Sequence, residues 1–443
     1  MSAFTSLLRN NRNYRATWAG QCVSEIGDHF NNIAVLSLAM EHSRPGLVVT
    51  GVFLARAVPM LAAGPIAGVL LDRLDRKRVM IASDLARAVI ALGFILCIHR
   101  QDTGLLYGLS ALLMFASPFF TSGRSSILPN IATPAELHTA NTMTQTTSWA
   151  AITIGAFLGA VGTAGGYEFA FLFNALSFVI SAFCISRLKR EGGFRPAKPN
   201  AGVTSETQAV TSETPAKESG LTQYREGLRY MRATPLVAGV ALLSAGWASG
   251  GGAAQILFSL FGEKVFNRGA WGIGFIWGWA GIGLLLGASI AYRLGKRLSF
   301  GGYKRTVAIV YLIHGGAYVV FSQMPRLWQA CFFIMISRAG ISISSVLNYS
   351  QLLHHVEDRY RGRVFATLES ITWSVMMLSM MAAGAASTVY SPRTIGAWAG
   401  TISASTAIFW LWANWSGRLP EPVRHPVAAM AEGEVQAEPP VTS

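Results

Sequence analysis

Apolar stretches of about 20 residues recur along this whole chain, each long enough to cross a bilayer as a helix. Short turns between them collect the charge. In the sharpest, an apolar run ends at Leu71, then Asp72, Arg73, Asp75, Arg76, Lys77 and Arg78 arrive together, and apolar residues resume at Val79. A tight basic turn between two hydrophobic helices is the pattern of a cytoplasmic hairpin in a membrane protein. Hydrophobic residues make up 51% of the chain and charged ones only 13%. A soluble protein carries roughly twice that charge fraction. The chain reads as an all-α, polytopic membrane protein.

The formal net charge of +14 would suggest a nucleic-acid partner in a soluble chain. Here the positive-inside rule accounts for it. Basic residues collect at the N-terminus (Arg9, Arg12, Arg15), in the Arg73–Arg78 turn, and in the centre (Arg187, Lys189, Arg190, Arg225, Arg229). They collect again at Arg293–Arg305 and Arg359–Arg363, whereas the alternate turns hold only Arg44, Arg100, Lys264, Arg268, Arg326 and Arg393. Both termini and the central linker are therefore expected in the cytoplasm of a bacterial inner-membrane protein, with no nucleic-acid partner. The opening MSAFTSLLRNNRNYR is polar and basic and leads into a span too long for a signal-peptide core. Cys22, Cys97, Cys184 and Cys331 all fall in hydrophobic segments and read as packing residues. No metal-ligand spacing or nucleophilic grouping stands out, so neither a metal, a cofactor nor an enzyme is expected.

Twelve spans are expected: Thr17–Met40, Leu47–Leu71, Val79–Ile98, Gly104–Leu128, Asn141–Thr163 and Glu168–Ser186, then Leu236–Phe261, Trp271–Tyr292, Thr306–Phe321, Leu327–Ser350, Val364–Val389 and Thr394–Trp415. They divide the chain into a six-helix bundle at 1–189, a disordered linker at 190–222, a second six-helix bundle at 223–416 and a disordered tail at 417–443. The linker repeats VTSET at Val203–Thr207 and Val210–Thr214, and its composition cannot bury a core. After it, Leu221, Tyr224, Leu228 and Met231 share one face of a short basic helix expected along the membrane surface. A substrate site is expected between the halves.

The order Gly68, then Asp72-Arg73, then Arg76-Lys77-Arg78 resembles the loop between helices 2 and 3 of the major facilitator superfamily. LLRNNRNYRATWAGQCVSEIGDHFNNIAV, FFTSGRSSILPNIATPAELHTANTM (Phe119–Met143), FAFLFNALSFVISAF (Phe169–Phe183) and HHVEDRYRGRVFA (His354–Ala366) are similar to its drug:proton antiporter branch, which includes macrolide efflux pumps and the enterobactin exporter. One signature departs: in helix 5, Gly155 and Gly159 remain, but Ala156 and Ala160 replace the usual Pro and second Gly. The resemblance implies a monomeric secondary transporter that exports a small organic molecule, a drug or siderophore, by proton antiport with alternating access. Antibiotic resistance would be its setting. The alternatives are a proton-coupled uptake permease and a lysophospholipid flippase of the same fold. It also implies a gate of Gly68, Asp72, Arg73 and Arg76, in which Asp72 faces the N-terminus of helix 11, with Arg124, Arg361 and Arg363 either in the same latch or at lipid headgroups.

Gln21, Glu25, Asp28 and Asn32 follow i, i+4, i+7, i+11 spacing, one stripe on the first helix. An ionised carboxylate in hydrocarbon costs several kcal/mol, so the stripe must face water or a partner. Two readings stand: Asp28 as proton carrier with Glu25 coupled to it, or a structural ion pair with Arg56 as counter-charge. Asp84 and Arg87, spaced i, i+3, pair with each other on this reading. Asn32 is a candidate substrate contact, and Arg338, near mid-depth in the tenth span, either meets an anionic substrate or pairs structurally. Trp247, Phe275, Trp277, Trp279 and Trp373 either line an aromatic site or simply pack.

Overall fold

A computed structural model describes residues 3–100, 102–189, 194, 220–295 and 297–421. The VTSET repeat, nearly all of the expected linker and the tail beyond residue 421 lie outside the described residues, as does Lys296 in the turn between the eighth and ninth expected spans.

Among the described residues all regular structure is helical. The first group is α1 (Ala3–Asn10), α2 (Arg12–Met40), α3 (Pro45–Arg73), α4 (Arg76–Gly93), α5 (Ile95–Arg100), α6 (Thr103–Ile131), α7 (Pro134–Gly162) and α8 (Tyr167–Ser186). There follow α9 (Gly220–Ala233), α10 (Pro235–Leu260), α11 (Gly269–Gly295), α12 (Phe300–Gln323), α13 (Leu327–His355), α14 (Asp358–Ala386) and α15 (Pro392–Trp415). A π-helical turn, Phe261–Val265, prolongs α10.

The turns are short because their polar residues cap the helices they start. Asn11, Asp75, Asp102, Ser299 and Ser391 each accept from a backbone amide of the first turn that follows. Thr133 and Glu136 make a reciprocal capping box on α7. Pro59 and Pro65 inside α3, and Pro118 and Pro129 inside α6, are tolerated as prolines are in membrane helices, where neighbours re-satisfy freed backbone groups.

Nine helices among the described residues are long and apolar enough to span a membrane. The three further spans expected from sequence lie on α2, α7 and α15, which are long but fall outside that set. For α2 the reason is its polar stripe: Gln21, Glu25, Asp28, His29 and Asn32 displace apolar residues from one helix face. α7 similarly opens with Thr139, Asn141, Thr142, Thr144, Gln145, Thr146 and Thr147.

α2 packs on α7 and α8, α3 on α6, and α4 on α6 and α8; in the second group α10 packs on α14 and α15, α11 on α13, and α12 on α13 and α15. The groups meet through α7 with α11 and α3 with α14. Small residues make those meetings close. A Cβ on Gly274 would stand 2.5 Å from the Ala156 carbonyl oxygen and 2.6 Å from Ala160 Cβ, and one on Gly384 would collide with Thr50. Ala156 and Ala160, the departures in helix 5, thus face the second group. These seams lie toward the end away from the Asp72–Arg78 turn. At the basic end, nothing among the described residues stands within 4 Å of a Cβ built on Gly64 or Gly68 of α3.

The short basic helix forms as expected, and docks on α14. Glu226 pairs with Arg363, Tyr230 stacks on Tyr360 at 4.6 Å, and Gly227 admits the close approach to Thr367.

Candidate functional site

The polar stripe of α2 is held, residue by residue, by four different helices. Gln21 Nε2 donates to the Thr144 carbonyl at 2.9 Å and to Ser148 Oγ at 3.2 Å, both on α7. Glu25 Oε1 accepts from Arg124 Nη1 on α6 at 2.9 Å. Asp28 Oδ2 lies 3.6 Å from Arg87 Nη1 on α4. Asn32 Oδ1 accepts from Arg56 Nη1 on α3.

The expected counter-charge, Arg56, makes its direct contact elsewhere. Arg56 serves Asn32, and the cation at ion-pair distance from Asp28 is Arg87. The depth argument placed Arg56 at the right level; the neighbouring helix presents a different arginine. Arg87 also pairs with Asp84, as the i, i+3 spacing predicted, so one guanidinium serves two carboxylates. Its carbon stands 4.9 Å from the Phe120 ring centre and 4.3 Å from that of Phe178. Desolvated cation–π contacts of this kind contribute about 2 kcal/mol each.

Exposure separates the two acids. The Asp84 side chain is fully enclosed, whereas that of Asp28 is 26% exposed. Asp28 Oδ1 and Glu25 Oε2 have no hydrogen-bond partner among the described residues. Asp28 and Glu25 both face basic side chains of the first helix group.

Arg124 was expected at the inner surface or in the latch; instead it enters the stripe through Glu25. Away from the ends of the expected spans of the first group, Glu25, Asp28 and Asp84 stand against Arg56, Arg87 and Arg124, with Glu168 in addition at the start of the sixth span. The gate residues are not brought together with α14 here. Asp72 and Arg73 are exposed, and among the described residues neither side chain makes an ion pair. Arg76 Nη1 donates to the Ser126 carbonyl at 2.8 Å. Arg361 closes the end of α13 by donating to the Leu353 and Val356 carbonyls.

A cavity of about 410 Å³ opens between α10, α11, α12, α13 and α14, with Trp149 of α7 closing it from the first group. Aromatic residues dominate its wall: Trp149, Trp247, Tyr311, Tyr349 and Phe365, with Ser342, Ser345 and Asn348 as polar points. Such a wall suits an amphipathic ligand. Trp149 follows Ser148, the partner of Gln21, so α7 joins the cavity to the charged stripe. Of the aromatic residues singled out in the sequence, Trp247 alone lines this cavity. Phe275 and Trp279 line a separate peripheral pocket with Trp271 and Trp328, and Trp277 packs edge-on against Phe258. Trp149, Tyr311, Tyr349 and Phe365 were not anticipated, because aromatic residues in apolar helices look alike until their facing is known.

The family description "Major Facilitator Superfamily" matches residues 17–376. The chain belongs to the Major Facilitator Superfamily. This facilitator is thus a multi-pass membrane transporter rather than an enzyme. It is 27% identical over 391 residues to the uncharacterized MFS-type transporter YfiS of Bacillus subtilis, covering 85% of this chain and 87% of that protein. It is 26% identical over 372 residues to the multidrug efflux pump Tap of Mycolicibacterium fortuitum, covering 81% and 85% respectively. A shorter match, 37% over 81 residues, joins it to macrolide efflux protein A of Streptococcus pyogenes, over 18% of this chain and 20% of that one. These relatives fit a drug-efflux branch of the superfamily. Among solved structures, a bacterial homologue of the iron transporter ferroportin in its inward-facing state has a TM-score of 0.66 at 14% identity, covering 90% of this chain and 98% of that one. At that identity the likeness speaks to fold alone.

Proposed function

We propose that this facilitator exports a small amphipathic organic molecule in exchange for protons, by alternating access between two six-helix halves. The observation that carries the reading is the sharing of Arg87 between a partly exposed and an enclosed carboxylate. A proton arriving on Asp28 cancels its attraction for Arg87, and Asp84 then holds the guanidinium alone. Loss of the proton restores the pair. Asp28 is thus the carrier, and Glu25, clamped by Arg124, is its coupled neighbour. Arg87 takes the counter-charge role for Asp28, while Arg56 orients Asn32 at the edge of the stripe.

With the basic end cytoplasmic, closed seams at the far end and a clear space at Gly64 and Gly68 correspond to an inward-facing state. The exposed Asp72 is then a latch half whose other half, the N-terminus of α14, engages when the inner end closes. Two alternative packings of this kind supply the two states that alternating access requires. The aromatic cavity with Trp149 and Trp247 takes the substrate, and names such as multidrug efflux pump and macrolide efflux protein among the relatives support a drug-like class. The protein works as a monomer in the bacterial inner membrane with both termini in the cytoplasm.

Inverted membrane vesicles test direction and coupling together. Acidifying the lumen should drive accumulation of a fluorescent amphipath such as 1-pyrenebutyrate, and collapsing the proton gradient should release it. Accumulation that ignores the gradient, or that occurs only when the outside is acid, contradicts the proposal.

A further inference from the structure

Arg338 on α13 is the buried cation of the second helix group. It is 9% exposed, its guanidinium carbon stands 5.2 Å from the Phe258 ring centre, and among the described residues its side chain makes no hydrogen bond or ion pair. A cation–π contact offsets only a small part of the cost of placing an unpaired charge inside a membrane protein. Among the described residues, two further polar groups nearby are also without hydrogen-bond partners: Trp277 Nε1 and Tyr318 Oη. Trp277 meets Phe258 edge-on at 5.1 Å. Tyr318 packs on Phe321 at 5.5 Å, which in turn lies 5.9 Å from Phe258. A guanidinium and an indole N–H can only donate, and a phenol can donate. The phenol oxygen can also accept, but what the cluster lacks is an anionic acceptor.

Its place in the fold ties it to the cavity. Ile341 and Ser342 line the cavity on α13, and Arg338 is one turn further along, a step of about 6 Å at 1.5 Å per residue. Tyr311 lines it on α12 and Leu284 on α11; Tyr318 and Trp277 lie two turns beyond these on the same helices. The cluster therefore continues the cavity wall toward the closed end of the molecule.

We propose that Arg338, with Tyr318 and Trp277, docks the carboxylate of an anionic amphipathic substrate whose apolar body lies in the aromatic cavity. This rests on reading that cavity as the transport site. The planar fork of an arginine matches a carboxylate bidentately, and the ligand supplies the charge that the fold leaves unpaired. The acids Glu25 and Asp28 belong to the other helix group and are already met by Arg124 and Arg87, and Glu369 on α14 is exposed.

The test uses the purified full-length protein in detergent, with 1-pyrenebutyrate and the neutral 1-pyrenebutanol as probes, read by quenching of tryptophan emission. The wild type is expected to bind the carboxylate about tenfold more tightly than the alcohol, the scale of one charge-assisted pair. Arg338→Gln should bring the two together, and Arg338→Lys should keep an intermediate preference. Tyr318→Phe, a change that preserves shape, should weaken the carboxylate a few-fold and leave the alcohol alone. Equal binding of the two probes by the wild type, no binding of either, or a preference that survives Arg338→Gln overturns the proposal. Should Arg338→Gln fail to fold, the wild-type preference and Tyr318→Phe decide it. The same preference measured in Asp28→Asn keeps the question separate from proton coupling: it persists whether or not Asp28 carries the proton.

Discussion

Arg87 reaches Asp28 across 3.6 Å from the neighbouring helix while the same guanidinium is bound to Asp84. A charge held at both ends in this way is structural and responsive at once. Removing it should expose the structural part. Arg87→Gln leaves Asp84 enclosed without a cation, a change that typically costs 3–5 kcal/mol, so a loss of about 3 kcal/mol is expected. The double variant Asp84→Asn/Arg87→Gln should recover a good part of that loss. Thermal unfolding in detergent, followed by tryptophan emission, measures both; equal losses in the single and double variants would refute the coupling.

The aromatic cavity makes a kinetic prediction. Trp149 is its sole wall residue from the first helix group, so it meets the substrate across the boundary that must open and close. Trp149→Ala should raise KM about three- to tenfold, the worth of one well-packed aromatic contact, with the amount of folded protein unchanged. Dye transport in inverted vesicles at varied concentration is the measurement.

Asp72 makes a prediction about state rather than binding. It is exposed here, so Asp72→Asn should leave stability and substrate affinity as they are. Transport should slow, because the state in which Asp72 meets the start of α14 loses its latch. Unchanged turnover with unchanged affinity would remove Asp72 from the gate.

The opposite seam predicts the reverse bias. Gly384 admits Thr50, and Gly46 admits Ser387, at the closed end. Gly384→Leu should wedge that seam open. A cysteine at Ser387, probed from outside with a membrane-impermeant maleimide, should then label several-fold faster than in the Gly384 parent; equal rates would contradict the reading.

Much of this was legible in the residues because membrane helices advertise themselves by hydropathy and by charged turns. The Asp72–Arg78 hairpin, the capped starts and the α2 stripe are local patterns with local causes. Helix α2 shows the limit from the other side: its polar stripe marks it as functional and lowers the apolarity by which a span is recognised. The direct pairing of the stripe is hidden for a different reason. Depth along a helix can be counted from sequence, but azimuth relative to other helices cannot, so Arg56 and Arg87 were equally plausible at the level of Asp28. Long-range partners such as Arg124 for Glu25, 99 residues apart, and the cavity wall drawn from six helices follow from tertiary packing. The three acids and three arginines away from the span ends were the sequence signal that pointed toward Arg124.

The central claim is that Asp28 binds and releases the transported proton. The most direct measurement is substrate-driven proton movement in proteoliposomes carrying a trapped pH dye, comparing the wild type with Asp28→Asn. The account predicts a pH change on adding substrate in the wild type and none in Asp28→Asn, with substrate binding and unfolding temperature in that variant close to those of the wild type. A proton flux of wild-type size from Asp28→Asn would contradict it.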